Sequence, residues 1–273
     1  MSLTEIPLKP PLKWAGGKRW LVPRLQLLWE VHLKQYPEAR LVEPFCGGLA
    51  VTLGLQPERA LLNDINPHLI NFYRWLQKGL VIDLNDLPMR NDPDLFYAHR
   101  DRFNALITTG KAKTAEAAAL FYYLNRTGFN GLCRFNKQGA FNVPFGRYKT
   151  INYRTDFTPY RRRFERWRFL LGGFEQLSIL PNDFVYVDPP YDVEFTQYSS
   201  GGFSWAEQVR LAEWLDCLNH PVALSNQATE RIVDLYSNLG FQLEFHQTPR
   251  RISANGNRTP AREVLALKHI QSA

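Results

Sequence analysis

The chain has 273 residues, carries 33 Lys+Arg against 26 Asp+Glu for a formal charge of +7, and is 45% hydrophobic and 14% aromatic. It is too apolar for a disordered chain and long enough for a full core in one or two domains. No apolar run nears the ~18 residues of a membrane span, Met1-Ser2-Leu3-Thr4-Glu5 lacks the features of a signal peptide, and three scattered cysteines (Cys46, Cys133, Cys217) exclude a disulfide scaffold or a Cys-x-x-Cys knuckle. The expectation is a cytoplasmic protein with no membrane partner.

In chain order, Leu21, Leu25, Leu28 and Trp29 recur at helical spacing. Short apolar runs then end in turn residues and predict buried strands: Leu41-Val42 into Glu43-Pro44, and Leu61-Leu62 into Asn63-Asp64. Asn71 to Gln77 and Thr114 to Leu124 predict helices, and Gly128 to Lys149, rich in Gly, Asn and aromatics, predicts a hairpin. Phe184 to Val187 runs into Asp188-Pro189 as a further strand. Ser204-x-x-Glu207 is a capping box opening a helix with Leu211, Leu215 and Leu218 on one face. Val222 to Leu224 predicts another strand, and Phe241 to Phe245 with Val264 to Leu267 an edge hairpin. Alternating strands and helices argue for a doubly wound, Rossmann-like α/β sheet. The alternation fails between Pro67 and Arg154, which predicts an inserted, mainly helical domain over 67–154, with 1–66 and 155–273 making the sheet domain.

The charge is uneven. Asn125 to Leu170 holds 11 Lys+Arg and two acids, a net +9, which leaves −2 on the rest of the chain. Aromatics interleave that block. Such a pattern suits nucleic acid, with bases on phosphates and rings stacking on bases. A solvated face of snorkelling arginines over a small core accounts for it equally well.

Asp188-Pro189-Pro190-Tyr191 sits at a strand's carboxyl end, where open α/β sheets bind ligands. An amino group conjugated with a ring is a poor nucleophile because its lone pair is delocalised. The Asp188 carboxylate and the Pro189 carbonyl can each accept one of its N–H bonds, and the prolines donate no competing N–H. That geometry turns the lone pair toward an electrophile, while Tyr191 offers a stacking face. The bland alternative is a Pro-rich loop after a strand.

Glu43-Pro44-Phe45-Cys46-Gly47-Gly48 follows the first predicted strand, and adjacent glycines let a ligand approach the backbone. Asp64, at the end of the next strand, stands where an acid accepts ribose hydroxyls. Together they imply an adenosine-bearing ligand held without phosphate-binding machinery. Lys13-Trp14-Ala15-Gly16-Gly17-Lys18 fails as a Walker A loop, with Leu12 in place of the first Gly and Arg19 in place of Ser/Thr. It reads either as a lid, Trp14 and Lys18 closing on the ligand, or as a tight turn. The six histidines show no metal-ligand spacing and read as surface or capping residues, and Cys46 reads as a small core residue.

Taken in order, Trp14-Ala15-Gly16-Gly17-Lys18, Glu43-Pro44-Phe45-x-Gly47-Gly48, Asp64-Ile65-Asn66 and Asp188-Pro189-Pro190-Tyr191 resemble Dam-type adenine-specific DNA methyltransferases of the alpha group. The likeness continues through Leu124-Asn125-Arg126-x-Gly128-Phe129-Asn130-Gly131-Leu132-Cys133-Arg134, Phe141 to Lys149, and the tail Arg251-Ile252-Ser253-x-Asn255-Gly256. The resemblance implies a methyltransferase sheet, S-adenosylmethionine as methyl donor, and adenine N6 in double-stranded DNA as acceptor, commonly in GATC, with neither metal nor obligate protein partner. It implies catalytic roles for Asp188, Pro189, Pro190 and Tyr191, and cofactor contacts at Trp14, Lys18, Glu43, Phe45, Gly47, Asp64 and Asp188. For DNA it implies a wedge at Phe129 beside Asn130, base reading at Leu132, Arg134 and Pro144, flanking or backbone contacts at Asn136, Arg147 and Tyr148, and a first-base contact at Lys13. Two other readings stay open: a methyltransferase for another planar amine (cytosine N4, RNA or a protein glutamine), and a non-catalytic DNA-binding regulator on the same fold.

Overall fold

The computed structural model describes residues 8–192, 203–248 and 261–270; the tail motif at Arg251 to Gly256 lies outside them. The elements are α1 (Val22–Gln35), β1 (Leu41–Glu43), α2 (Ala50–Leu55), β2 (Ala60–Asp64), α3 (Pro67–Lys78), α4 (Pro93–Thr108) and α5 (Ala115–Thr127). They continue with α6 (Thr158–Phe164), β3 (Trp167–Leu171), β4 (Phe184–Val187), α7 (Trp205–Asp216), β5 (Val222–Gln227), α8 (Glu230–Asn238), β6 (Gln242–Thr248) and β7 (Ala261–Lys268). The seven strands order as β3-β2-β1-β4-β5-β7-β6. No described helix is long and apolar enough to cross a membrane.

The chain divides into two compact units, one of residues 1–20, 47–56 and 64–171, the other of 21–46, 57–63 and 172–273. In the second, β1 pairs in parallel with β2 and β4, and β4 with β5, while β7 runs antiparallel to both β5 and β6. β1 and β4 are buried along their whole length, as strands of a parallel sheet covered on both faces are. Strand order reverses between β1 and β4, and that reversal is the crevice where doubly wound sheets bind ligands. At the opposite ends of these strands, buried Arg40 pairs through two bonds with Asp183, at 3.1 and 2.6 Å, and the Arg40 carbonyl accepts the Phe184 N–H. The predicted capping box of α7 is present, Ser204 and Glu207 exchanging both bonds. The predicted edge hairpin is the β6–β7 pair, longer than the apolar runs suggested because its ladder extends over Gln242 to Thr248.

In the first unit α5 is buried from Ala117 to Asn125, and its run of alanines lets α3 and α4 pack closely against it. Phe72 of α3 stacks on Tyr122 of α5 with centroids 5.6 Å apart, and Phe157 meets both edge-on. α3 begins where Asn66 accepts the His68 and Leu69 N–H groups ahead of Pro67, and it ends on Gly79 in the left-handed region. Asp92-Pro93 starts α4 in the same way. The hairpin predicted over Gly128 to Lys149 is reduced to two isolated antiparallel bridges, Gly128 to Phe145 and Phe135 to Phe141, the second closed by Asn136, whose side chain accepts the Gln138 and Ala140 N–H groups. Of the aromatics in the basic block, Phe141, Phe157, Tyr160, Phe164, Trp167 and Phe169 are core, whereas Phe129 and Tyr153 stay exposed. His32, His68 and His99 are buried rather than superficial, each against aromatic rings. Cys46 is a core residue as expected.

Candidate active site

In the second unit the segment after β4 is held at nearly every residue. Asp188, half-buried, accepts the Ser225 hydroxyl at 2.9 Å. Ser225 lies on β5 and is in turn 3.0 Å from the Tyr186 hydroxyl. Burial, followed by the charges of Asp188, Glu43 and Glu263, holds the Tyr186 hydroxyl protonated well above its ordinary range. A protonated Tyr186 donates to Ser225, and Ser225 donates to Asp188. Gln208, buried on α7, donates to the Pro190 carbonyl at 2.8 Å and accepts from Asn226 of β5. The Tyr191 hydroxyl donates to Glu263 of β7 at 2.5 Å. Asp192, buried, accepts from Thr229 and from the Arg231 guanidinium. Pro189 is buried and Pro190 exposed. The result is a short loop with fixed acceptors and a fixed ring, preorganised as a transition-state binding site requires.

Also in this unit, Glu43 is buried at the end of β1, and the half-buried Phe45 lies against Phe174 and Phe203. The Cys46 N–H donates to the Asn63 carbonyl, and the Asn63 side chain donates back to the Pro44 carbonyl, so the exits of β1 and β2 are tied.

In the first unit Gly47 and Gly48 form a cradle under Trp14. A Cβ at Gly47 would lie 2.7 Å from the indole Nε1, and one at Gly48 would lie 2.6 Å from the Trp14 Cβ. Only glycine admits the ring so close. The Gly47 N–H donates to Asp64 at 3.1 Å and the Asn66 N–H at 2.9 Å. Burial raises the Asp64 carboxyl, and the N–H groups of Asn66, Gly47 and Ile65 counter it. The buried Tyr73 hydroxyl donates to the Gly47 carbonyl at 2.6 Å. Tyr73→Phe leaves that carbonyl unpaired and is expected to cost about 1 kcal/mol in urea unfolding. Ala15-Gly16 forms a tight turn, with Lys18 buried and its ammonium on the Gly16 carbonyl at 2.7 Å.

The same unit holds the residues expected to meet DNA. Lys13 is clamped by Asn125, which accepts its N–H and donates to its carbonyl, both at 2.8 Å. Its ammonium reaches the Arg126 carbonyl at 2.8 Å and lies 3.5 Å above the Tyr148 ring; burial and Arg126 lower its pKa to about 8. Phe129 is 48% exposed, next to exposed Asn130 in the left-handed region. Arg134 is exposed, its guanidinium braced by the side chain and carbonyl of Asn142. Leu132 is half-buried, Pro144 and Arg147 are exposed, and Tyr148 donates its hydroxyl to the Gly128 carbonyl. Cys133 is tied to Asn66 at 3.3 Å, and burial pushes its thiol up to about 12.

Sequence reasoning missed Ser225, Gln208, Glu263, Tyr73 and Asn125. Asn125 lay within a motif already singled out; the others carry no local signal.

A doubly wound order with an acid-Pro-Pro-Tyr exit at its reversal forms a ligand site suited to an amino nitrogen, and the class follows from the family: an amino-directed methyltransferase. The family model described as D12 class N6 adenine-specific DNA methyltransferase matches residues 14–251, and the chain belongs to that family. It is 37% identical to a DNA adenine methylase of Vibrio cholerae, covering 96% of this chain and 97% of that protein. It is 33% identical to the DNA adenine methylase of Escherichia coli K12, over 94% of each. A type II methyltransferase of Lactococcus lactis, M1.LlaDCHI, is 34% identical over 86% of this chain and 87% of its own.

Proposed function

We propose that this adenine-specific DNA methyltransferase acts on the N6 amine of an adenine taken out of duplex DNA, within GATC. The observation that carries the reading is the fixed loop from Asp188 to Asp192, with its acceptors and aromatic ring held by β5, β7 and α7. Asp188 and the Pro189 carbonyl accept the amine's N–H bonds, Pro190 restricts that carbonyl, and Tyr191 stacks on the base. The methyl donor is S-adenosylmethionine, whose sulfonium makes its methyl carbon electrophilic and suits direct in-line transfer without a covalent enzyme intermediate. The residues present fit an adenosine-bearing donor: the missing Cβ atoms of Gly47 and Gly48 seat the Trp14 ring against the turn, and Asp64 retains acceptor capacity after its backbone bonds. Trp14, Lys18, Glu43, Phe45, Gly47, Asp64 and Asp188 are assigned to the cofactor.

Residues 67–154 are assigned to target recognition. Phe129 fills the stack left by the adenine, a role supported by its exposure beside the sharply turned Asn130. Leu132, Arg134 and Pro144 read bases, Lys13 reads the first base, and Asn136, Arg147 and Tyr148 hold the backbone or its flank. Because Asn142 braces its guanidinium, Arg134 is preorganised for a base edge. Arg134→Ala is expected to lose about 1–3 kcal/mol of discrimination at one base pair, seen in competition between cognate and single-substituted duplexes. A uniform loss on all sequences marks a phosphate contact instead. The whole reading is tested by methylation-sensitive sequencing of duplex DNA treated with the purified protein. N6-methyladenine confined to GATC supports it; N4-methylcytosine, methylation at another sequence, or activity on single strands alone overturns it.

A further inference from the structure

We infer that Glu263 is a positioning residue for the methyl-accepting base, acting through the Tyr191 hydroxyl to fix the plane of the stacking ring. The inference rests on the reading of Tyr191 as the ring that stacks on the target adenine. It starts from one bond, Tyr191 Oη to Glu263 Oε2 at 2.5 Å. Glu263 is 8% exposed, and a buried carboxylate is expensive unless it is hydrogen-bonded. The tyrosine supplies such a bond.

Glu263 is also a rigid anchor. It lies on β7 opposite Gln227 of β5 and His246 of β6, so its backbone is laddered on both sides. The neighbouring Arg262 carbonyl accepts the Ala228 N–H at 2.9 Å and locks the same end of the β5–β7 pair. The tyrosine is therefore held at two points, its backbone in the loop after β4 and its hydroxyl on β7. Burial, and then the Asp188 and Glu263 charges, keep that hydroxyl protonated, so it remains a donor across the working pH range. With the ring orientation settled before the base arrives, less freedom is lost when the base docks.

The test uses the full chain and a duplex whose methylated adenine, located beforehand by sequencing, is replaced by 2-aminopurine for fluorescence. The natural duplex serves for single-turnover methylation. Glu263→Ala and Tyr191→Phe are each expected to slow single-turnover transfer about 10–100-fold, as for a lost hydrogen bond to a charged group. Both leave S-adenosylmethionine affinity unchanged and raise 2-aminopurine emission, because the extruded base stacks less well. Glu263→Gln keeps an acceptor and stays within about 3-fold of the parent. Tyr191→Phe with Glu263→Ala is no slower than the slower single variant, because both remove one bond. Multiplied losses in the double variant, a Glu263→Gln as slow as Glu263→Ala, or a Glu263→Ala as fast as the parent overturns the inference. Where Glu263→Ala does not fold, Tyr191→Phe and Glu263→Gln decide: slow and fast supports, any other pairing overturns. A parent enzyme that methylates no adenine refutes the functional reading instead, so the two failures are distinguishable.

Discussion

Asp188→Ala leaves a folded protein that binds DNA and no longer transfers methyl groups, with turnover down about 10³-fold or more. Asp188 directly follows β4 at the reversal of strand order, half-buried, and its carboxylate is held by Ser225. Truncation leaves Ser225 its bonds to the Tyr186 hydroxyl and the Val187 carbonyl, so the Ser225 hydroxyl is not stranded by the change. On the proposed reading, what disappears is an acceptor for the amine, and with it the pull that frees the nitrogen lone pair. Removing one preorganised hydrogen-bonding group from an active site typically costs 10²–10³-fold; here alignment is lost as well. Asp188→Asn keeps one oxygen acceptor and is expected to retain measurable turnover. The measurement is labelled-methyl incorporation at saturating cofactor and DNA, with a thermal melt and a DNA-binding titration on the same sample. Turnover within ten-fold of the parent in Asp188→Ala removes Asp188 from the chemistry.

The parts of this molecule legible in the sequence are those whose cause is local. β4 and β5 are buried on both faces, so they appear as unbroken apolar runs ending in turn residues. Ser204 and Glu207 announce α7 because a capping box is a four-residue device. β3 was hidden for the opposite reason. Its buried residues Trp167 and Phe169 alternate with exposed Arg168 inside a stretch dominated by arginine, so a strand looked like charge. The aromatics of that stretch left two readings open in the sequence, because spacing alone does not tell a ring that stacks on a base from one that packs on α3. In the proposed site, Asp188 and Tyr191 stand out in the sequence because the four residues assigned to the chemistry are adjacent. Ser225, Gln208 and Glu263 lie 37, 18 and 72 positions from their partners in the loop. Strand pairing and helix packing bring them there, and the sequence pattern holds no record of it.

Gly131→Ala is expected to destabilise the protein by about 3 kcal/mol and to weaken both cofactor binding and target discrimination. Gly131 has φ +62°, where an L-residue costs about 1–2 kcal/mol. Its new Cβ would also fall 2.3 Å from the Cβ of Lys13 and 2.9 Å from its Cδ. Lys13 has little room to retreat, since Asn125 grips its backbone on both sides and also donates to the Gly131 carbonyl. Overpacking of this kind adds about 1–3 kcal/mol. The next residue, Trp14, lies on the Gly47-Gly48 cradle, so a shift at Lys13 is passed directly to the turn proposed to hold the cofactor. Gly139→Ala is the control. Gly139 has φ +79° and nothing within 4 Å of a built Cβ, so it carries the backbone cost without the clash. Urea unfolding of the two variants isolates the clash as their difference, and an S-adenosylmethionine titration reads its transmission through Trp14. Equal stability in the two variants, or unchanged cofactor affinity in Gly131→Ala, breaks the proposed link through Lys13-Trp14 between the loop assigned to DNA and the turn assigned to the cofactor.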